Sequence, residues 1–312
     1  MEKQNQHFVP EFLLKNFTDK SIGKYSIHKF ENGKWEVFNI SNTGNVDLLY
    51  GSKCCSLEVF YSDLENIIAA IINKHLKITE KDKAYMKIFI FLMAFRSPSK
   101  NQILSNKYKS YIKSINKKFD NEQIYSHFEN SKEKYDNFLE TLEEDYVLKE
   151  IVNNLLTSFD DSDNLKFYPI LTTEILQLLP KFGKTFDVHI FESDHDLIIG
   201  ETPTISVNLA TNEVKTNGEE AGLIGKNIMY WIPISSNRVA FMYKSSNIIA
   251  IEDRKLRKYE VDILNYFQSK KSSFFYSRTQ NINIPELPCD FNWVKHFNYI
   301  LGYKNKLLEG KS

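Results

Sequence analysis

Four side chains scattered along the sequence carry the chemistry that a reactive site needs: His7, Glu65, Arg96 and Glu201. An imidazole titrates near neutrality and can take or give a proton, so His7 is a candidate acid/base. Arg96 closes the most apolar stretch of the chain, KIFIFLMAFR. A guanidinium there needs a carboxylate partner or an anion to clamp, because a lone buried charge is very costly. Glu65 and Glu201 are the natural partners. Glu201 follows the apolar run Leu197–Ile199, and Pro203 sets the turn. A carboxylate at a strand end suits acid/base work or a divalent metal. If His7, Arg96, Glu201 and Glu65 converge on one pocket, they describe hydrolysis of a phosphate-containing substrate, nucleic acid or nucleotide. Each also has a plainer reading: His7 fixes the approach to a helix, Arg96 sits in an ion pair, and Glu201 caps backbone N–H groups.

Other chemistry is weaker. His189, Glu192, Asp194, His195 and Asp196 crowd together in HIFESDHD, but their spacing fits no zinc pattern, and a solvated turn is the simpler account. Lys107–Lys118, with Tyr108 and Tyr111 between, has the basic and aromatic groups that meet phosphates and stack on bases. Arg254, Lys255, Arg257 and Lys258 form a second basic cluster. Either is equally the wet face of a helix. Asn265, amid apolar helical neighbours, reads as a buried hydrogen-bonding residue. There is no P-loop, dinucleotide fingerprint, Gly-x-Ser-x-Gly elbow or Cys/His nucleophile pattern.

These groups must be positioned by regular elements. His7 leads into HFVPEFLLKNF, where Pro10 suits a helix's first turn, Glu11 and Lys15 pair four residues apart, and Leu13, Leu14 and Phe17 form an edge to bury. So short a helix is marginal alone and must dock. Lys24–Phe30 and Lys34–Ile40 alternate around Asn32-Gly33, a strong hairpin signal. Leu57–Leu76 has a helical apolar face, and Thr79 with Asp82 has the spacing of a capping box for the next helix. Residues 99–157 read as polar helix, and Ile170–Leu179 as another helix. From Phe182 the period changes to two, with strands at 186–190, 197–199, 205–207, 229–234 and 239–243, helix at 256–267 and a short strand at 274–276. Helices first and mainly antiparallel strands later give an α+β fold. The expected organisation is one unit over 1–312: helix and hairpin in 1–56, a helical region in 57–180 packed on the sheet, and a β-rich region with a C-terminal helix in 181–312. The N-terminal hairpin joins the sheet.

Composition narrows the setting. The 312 residues carry 40 Lys+Arg and 40 Asp+Glu, so global charge offers nothing to a polyanion. The apolar run Ile88–Phe95 is far too short to span a membrane. The first residues, MEKQNQ, form no apolar signal region, and three cysteines (Cys54, Cys55, Cys289) make no disulfide framework. A cytoplasmic protein that engages no membrane is expected.

The opening stretch resembles the His-x-x-Pro-x-x-x-Leu-x-x-Phe signature of the family named domain of unknown function 4238, with His7, Pro10, Leu14 and Phe17 at its fixed positions. The similarity continues through Tyr50, the pair Leu64-Glu65, Arg96-Ser97-Pro98 for the family's Arg-Thr-Pro, and Gly200-Glu201-Thr202-Pro203 for its Ser-Asp-Asn-Pro. It then runs through Pro233-Ile234-Ser235-Ser236, for Pro-Leu-Ser-Pro, and Leu264-Asn265. Glu replaces the family's Asp at 201, and Ser236 stands where its second proline would be. The resemblance implies a shared fold and a shared polar site and supplies no reaction. Two function classes therefore stand: a hydrolase of phosphate-containing substrates, in the manner of a bacterial defence or toxin-like effector and with a divalent metal open to it, or a non-catalytic ligand-binding or regulatory module whose polar cluster is structural.

Overall fold

The computed structural model describes residues 5–47, 56–74, 78–94, 96, 185–208, 213–215, 228–244 and 254–288. Tyr50, the three cysteines, Ser97-Pro98, the basic stretch 107–118 and the helix expected at 170–179 lie outside them. Contacts divide the chain into two compact units, one containing Asp47–Phe89, the other His7–Val46, Ile90–Ser97 and Thr185–Ser312.

Apart from the strand residues Asn5, Gln6 and Asp47 the described part of the first unit is helical, and Ile90–Met93 at the end of its second helix belong to the other unit. Helix α2 (Ser56–Asn73) buries Tyr61, Leu64, Ile68, Ile71 and Ile72 along one face. Helix α3 (Glu80–Met93) starts with the expected capping box: Asp82 Oδ2 accepts from the Thr79 N–H at 2.9 Å, and the Asp82 N–H donates to Thr79 Oγ1 at 3.1 Å. Burial pushes the Asp82 carboxyl up, but the Lys74 ammonium at 2.8 Å and the Thr79 groups outweigh it and hold it below its usual range. From Tyr85 to Ala94 every residue is buried, as an all-round apolar helix requires.

The second unit begins at His7, the last residue of β1 (Asn5–His7), and continues into α1 (Glu11–Lys15). Pro10 stands one position earlier than the first turn, as the N-cap, and its carbonyl accepts from Leu13 and Leu14 at 3.0 and 3.1 Å. Leu13, Leu14 and Phe17 are fully buried, and Glu11 lies 3.1 Å from Lys15. Strands β2 (Ser26–Glu31) and β3 (Lys34–Asn39) form the hairpin. Asn32 and Gly33 at φ 51° and 77° give the turn that matches strand twist. A short 3-10 turn (Ile40–Asn42) leads to β4 (Asn45–Asp47), paired with β1.

The later strands are β5 (Phe186–Glu192), β6 (Ile199–Gly200), β7 (Ile205–Asn208), β8 (Glu213–Lys215), β9 (Ile228–Ser235), β10 (Arg238–Lys244) and β11 (Phe274–Ser277), with α4 (Lys258–Lys270) before the last. The strands expected in one sheet divide into two: a five-stranded sheet ordered β5-β10-β9-β7-β8 and a four-stranded one ordered β3-β2-β11-β6. Their long ladders are antiparallel, so the α+β class holds and the hairpin joins a sheet through β11. Strand β9 is buried along nearly all its length, like a strand covered on both faces. Pro233, which cannot donate to a ladder, lies beyond the end of the β7 pairing and beside an irregularity at Arg238/Val239.

One strand is shorter than its sequence suggests. Leu197–Ile199 reads as a strand, yet only Ile199–Gly200 pairs. The Ile198 N–H goes instead to the Asn265 side chain at 3.0 Å, so a helix side chain takes the place of a ladder partner.

Candidate functional site

The four-stranded sheet has two unlike faces. Register puts Phe30, Trp35 and Phe275 on one face, where Phe30 stacks on Phe275 at 5.0 Å and Trp35 meets Phe275 edge-on at 5.6 Å. The other face carries two cross-strand rows. One runs Lys34, Glu31, Phe274 and then Glu201, whose N–H continues the ladder by donating to the Phe274 carbonyl at 3.1 Å. The next runs Glu36, Lys29, Tyr276, Ile199.

Charge on this face is tightly arranged. Lys29 Nζ lies 2.8 Å from Glu31 Oε2, 4.1 Å from the ring centre of Phe274 and 5.4 Å from that of Phe38. The ammonium is thus held by one carboxylate and two π faces. Tyr276 is fully buried, and its hydroxyl shares a 2.8 Å hydrogen bond with Thr43. Burial pushes its phenol far above the usual tyrosine range; the Thr43 hydrogen bond opposes this, and the charges of Glu31 and, less, Glu201 push upward again. Its raised proton affinity favours the neutral phenol, which shares its hydrogen bond with Thr43. A cavity of about 310 Å³ opens on the hairpin, lined by Lys29, Glu31, Asn32, Lys34, Glu36 and Phe38.

Glu201 is nearly buried, in a turn clamped by α4. Asn265 and Gln268, one helical turn apart, reach the same strand: Asn265 Nδ2 donates to the Asp196 carbonyl at 2.9 Å, Gln268 Oε1 accepts from the Gly200 N–H at 2.9 Å, and Gln268 Nε2 donates to the Pro203 carbonyl at 2.8 Å. Past the helix end, Ser272 Oγ accepts from the Thr202 N–H at 3.3 Å, and the Ser273 N–H donates to Glu201 Oε2 at 3.4 Å. A side chain at Gly200 would collide with this clamp, since its Cβ would lie 2.0 Å from Ser272 Oγ. The turn can be this close only with glycine.

His7 and Glu201 both belong to the sheet-bearing unit. They are linked through Phe274: Phe8, next to His7, meets its ring edge-on at 6.2 Å, and its carbonyl takes the Glu201 N–H. The segment is pinned by the Phe8 and Val9 N–H groups, which both donate to the Gly44 carbonyl at 2.8 and 3.2 Å. Gly44 has φ 68°, and a Cβ there would lie 3.1 Å from Leu14. His7 itself is half-buried, its Nε2 3.8 Å from Glu11 Oε2. Arg96 is buried in the same unit. Glu65 lies half-buried on α2, in the helical unit.

The weaker candidates resolve into ion pairs. Asp194 lies 2.5 Å from Lys255, Asp196 2.7 Å from Arg278, and Glu192 3.9 Å from Arg238. Among the described residues no cluster of three or more His, Cys, Asp or Glu is placed to hold a metal. Members of the basic cluster 254–258 are likewise paired: Lys258 lies 2.7 Å from Asp262, and Arg254 grips Glu260 with two bonds of 2.8 and 2.7 Å. Glu260, fully buried, also takes the Arg257 N–H at 2.7 Å. Burial pushes its carboxyl up, but Arg254 and that N–H prevail and hold it below the usual range. Asn265 is the buried hydrogen-bonding residue its neighbours suggested.

Sequence reasoning missed Tyr276, Thr43, Lys29 and Glu260. The signal for Glu260 was its place three residues after the N-cap Arg257, where a carboxylate caps a helix. Tyr276 and Thr43 are 233 residues apart and carry no local signal.

A model of the family described as "Protein of unknown function (DUF4238)" matches residues 5–301, and the chain belongs to that family. No curated protein and no solved structure matches it. Among the described residues no helix is long and apolar enough to cross a membrane.

Proposed function

We propose that this member of the DUF4238 family is a non-catalytic ligand-binding or regulatory module, in which the buried cluster around Glu201 holds the fold and the cavity on the β2–β3 hairpin seats the ligand. The observation that carries this reading is the state of Tyr276. Its hydroxyl is fully buried and bonded to Thr43, with Glu31 and Glu201 close enough to raise its proton affinity further. An acid/base group must reach the proton it moves, and a carboxylate nearly buried beside a satisfied phenol is poorly placed for that.

The cavity supports binding of a particular kind. Its lining has the ammonium groups of Lys29 and Lys34 and the carboxylates of Glu31 and Glu36. A phosphate would gain from the first pair what it loses to the second. A dipolar ligand bearing both an amine and a carboxylate suits it better, with its apolar part against Phe38. The cytoplasm is the compartment proposed, on the chain's lack of a disulfide framework among its three cysteines.

The test sets wild type beside His7→Ala and Glu201→Gln. Each is incubated with a panel of nucleotides, RNA and DNA in Mg²⁺ or Mn²⁺, and its unfolding is followed. No turnover by the wild type is expected, and Glu201→Gln should lose about 1–3 kcal/mol of stability. Wild-type turnover that disappears in a Glu201→Gln protein of unchanged stability would overturn the reading.

A further inference from the structure

Strand β3 ends the four-stranded sheet, and the strand order leaves its outer side open among the described residues. An open edge presents unpaired N–H and C=O groups, and proteins normally cover or blunt it. Which groups face outward follows from two hydrogen bonds. The Ile40 N–H donates inward to the Tyr25 carbonyl at 3.0 Å, and the Phe274 carbonyl on β11 turns toward Glu201, away from β2. In an antiparallel ladder the direction alternates. Lys34, Glu36 and Phe38 therefore bond to β2, and Trp35 and Val37 present their backbone groups to the outside.

That phase restricts how a second strand can add. In a two-fold pairing of β3 with itself, outward-facing residues must meet outward-facing ones, which lets the axis fall on any residue from Lys34 to Phe38; centred on Lys34 or Glu36 it sets like charges opposite each other. With Val37 on the axis, Glu36 would lie opposite Phe38. With Trp35 on the axis, Lys34 of each copy lies opposite Glu36 of the other, twice over. Both pairs fall at positions without ladder bonds, where side chains come closest. The charges are uncommitted for this purpose: neither Lys34 nor Glu36 makes an ion pair among the described residues, and both are exposed. Val37, 51% exposed, would gain cover from the partner's turn at Gly33.

We infer that β3 is a self-recognition edge, at which a second copy of this chain adds its own β3 antiparallel with Trp35 on the two-fold axis. The two four-stranded sheets become one continuous sheet, and Lys34 and Glu36, which line the ligand cavity, become shared across the axis. Edge charges ordinarily keep other strands away. Here they oppose the registers centred on Lys34 or Glu36, where like charges meet, and favour the one centred on Trp35, where opposite charges meet twice. This inference goes beyond the ligand reading and stands without it.

The full chain is followed by sedimentation velocity over a range of concentrations, as wild type, as Lys34→Glu and as Glu36→Lys. Wild type should associate to a dimer. Each single variant places like charges opposite each other twice and should weaken association by roughly tenfold or more. An equimolar mixture of the two variants restores both opposite-charge pairs and should dimerise again, as a heterodimer. That recovery cannot come from unfolded protein, so misfolding does not imitate the result. A wild type that stays monomeric throughout, a dimer indifferent to both substitutions, or a mixture that stays apart would each overturn the inference.

Discussion

The two sheets of the second unit share antiparallel ladders and differ in almost everything else. In the five-stranded sheet, β9 and β10 are buried from end to end but for their terminal residues, around Trp231, Tyr230 and Phe241. In the four-stranded sheet, β3 has no buried residue at all, and its hairpin face holds alternating lysines and glutamates. A strand covered on both sides is written in continuous apolar residues; a strand at an edge can spend its side chains on charge and register. Stability should therefore reside in one sheet and recognition in the other, and substitutions should separate the two.

The largest effect should come from the covered sheet. Trp231→Ala would empty a site bounded by Phe241 at 6.4 Å and Phe267 at 6.1 Å, and should cost about 3–5 kcal/mol in denaturant unfolding. A cost no greater than that of charge changes on β3 would break the contrast.

Glu260 comes next. Glu260→Gln leaves Arg254 largely buried without its carboxylate and should cost about 3 kcal/mol. The pH dependence has a definite sign. The folded carboxyl lies below its ordinary value of 4.5, so its contribution is complete above about that pH and fades as pH falls through the lowered folded value. Comparing wild type with Glu260→Gln should show their stability gap shrinking on acidification. A gap that widens would mean the carboxylate is not held by Arg254 and the Arg257 N–H.

A smaller effect belongs to the border of the polar sheet. Gly200→Ala pushes a methyl into Ser272 and Gln268 and should cost about 1–3 kcal/mol. Least of all, the single charge changes on β3 should cost under about 1 kcal/mol each, while altering association. If they unfold the protein instead, the hairpin is part of the core and not a recognition surface.

Much of the scaffold was legible because its signals are local. Asn32-Gly33 announced a hairpin, Thr79 with Asp82 a helix start, and the Glu11–Lys15 pair with its Leu and Phe edge a docked helix. Asn265 was recognisable from its apolar neighbours. What escaped depends on distant partners. The Arg254–Glu260 pair looked like part of a basic patch because the opposing carboxylate enters only when the helix forms. Strand β6 stopped early because side chains of α4 captured its backbone, which no alternation of residues can reveal. The division into two sheets follows from β11 pairing with β2 and β6, a choice made by long-range register rather than by propensity. For the site, Glu201 was recognised as a strand-end carboxylate, but its companions Tyr276 and Thr43 come together only in the folded chain.

The role of Glu201 is tested most directly by one paired measurement on Glu201→Gln: its unfolding free energy and its turnover of the nucleotide, RNA and DNA panel, beside those of the wild type. A structural carboxylate predicts lower stability in the variant and no turnover in either protein. Wild-type turnover abolished in a variant that is as stable as the wild type would contradict it and make Glu201 a catalytic residue.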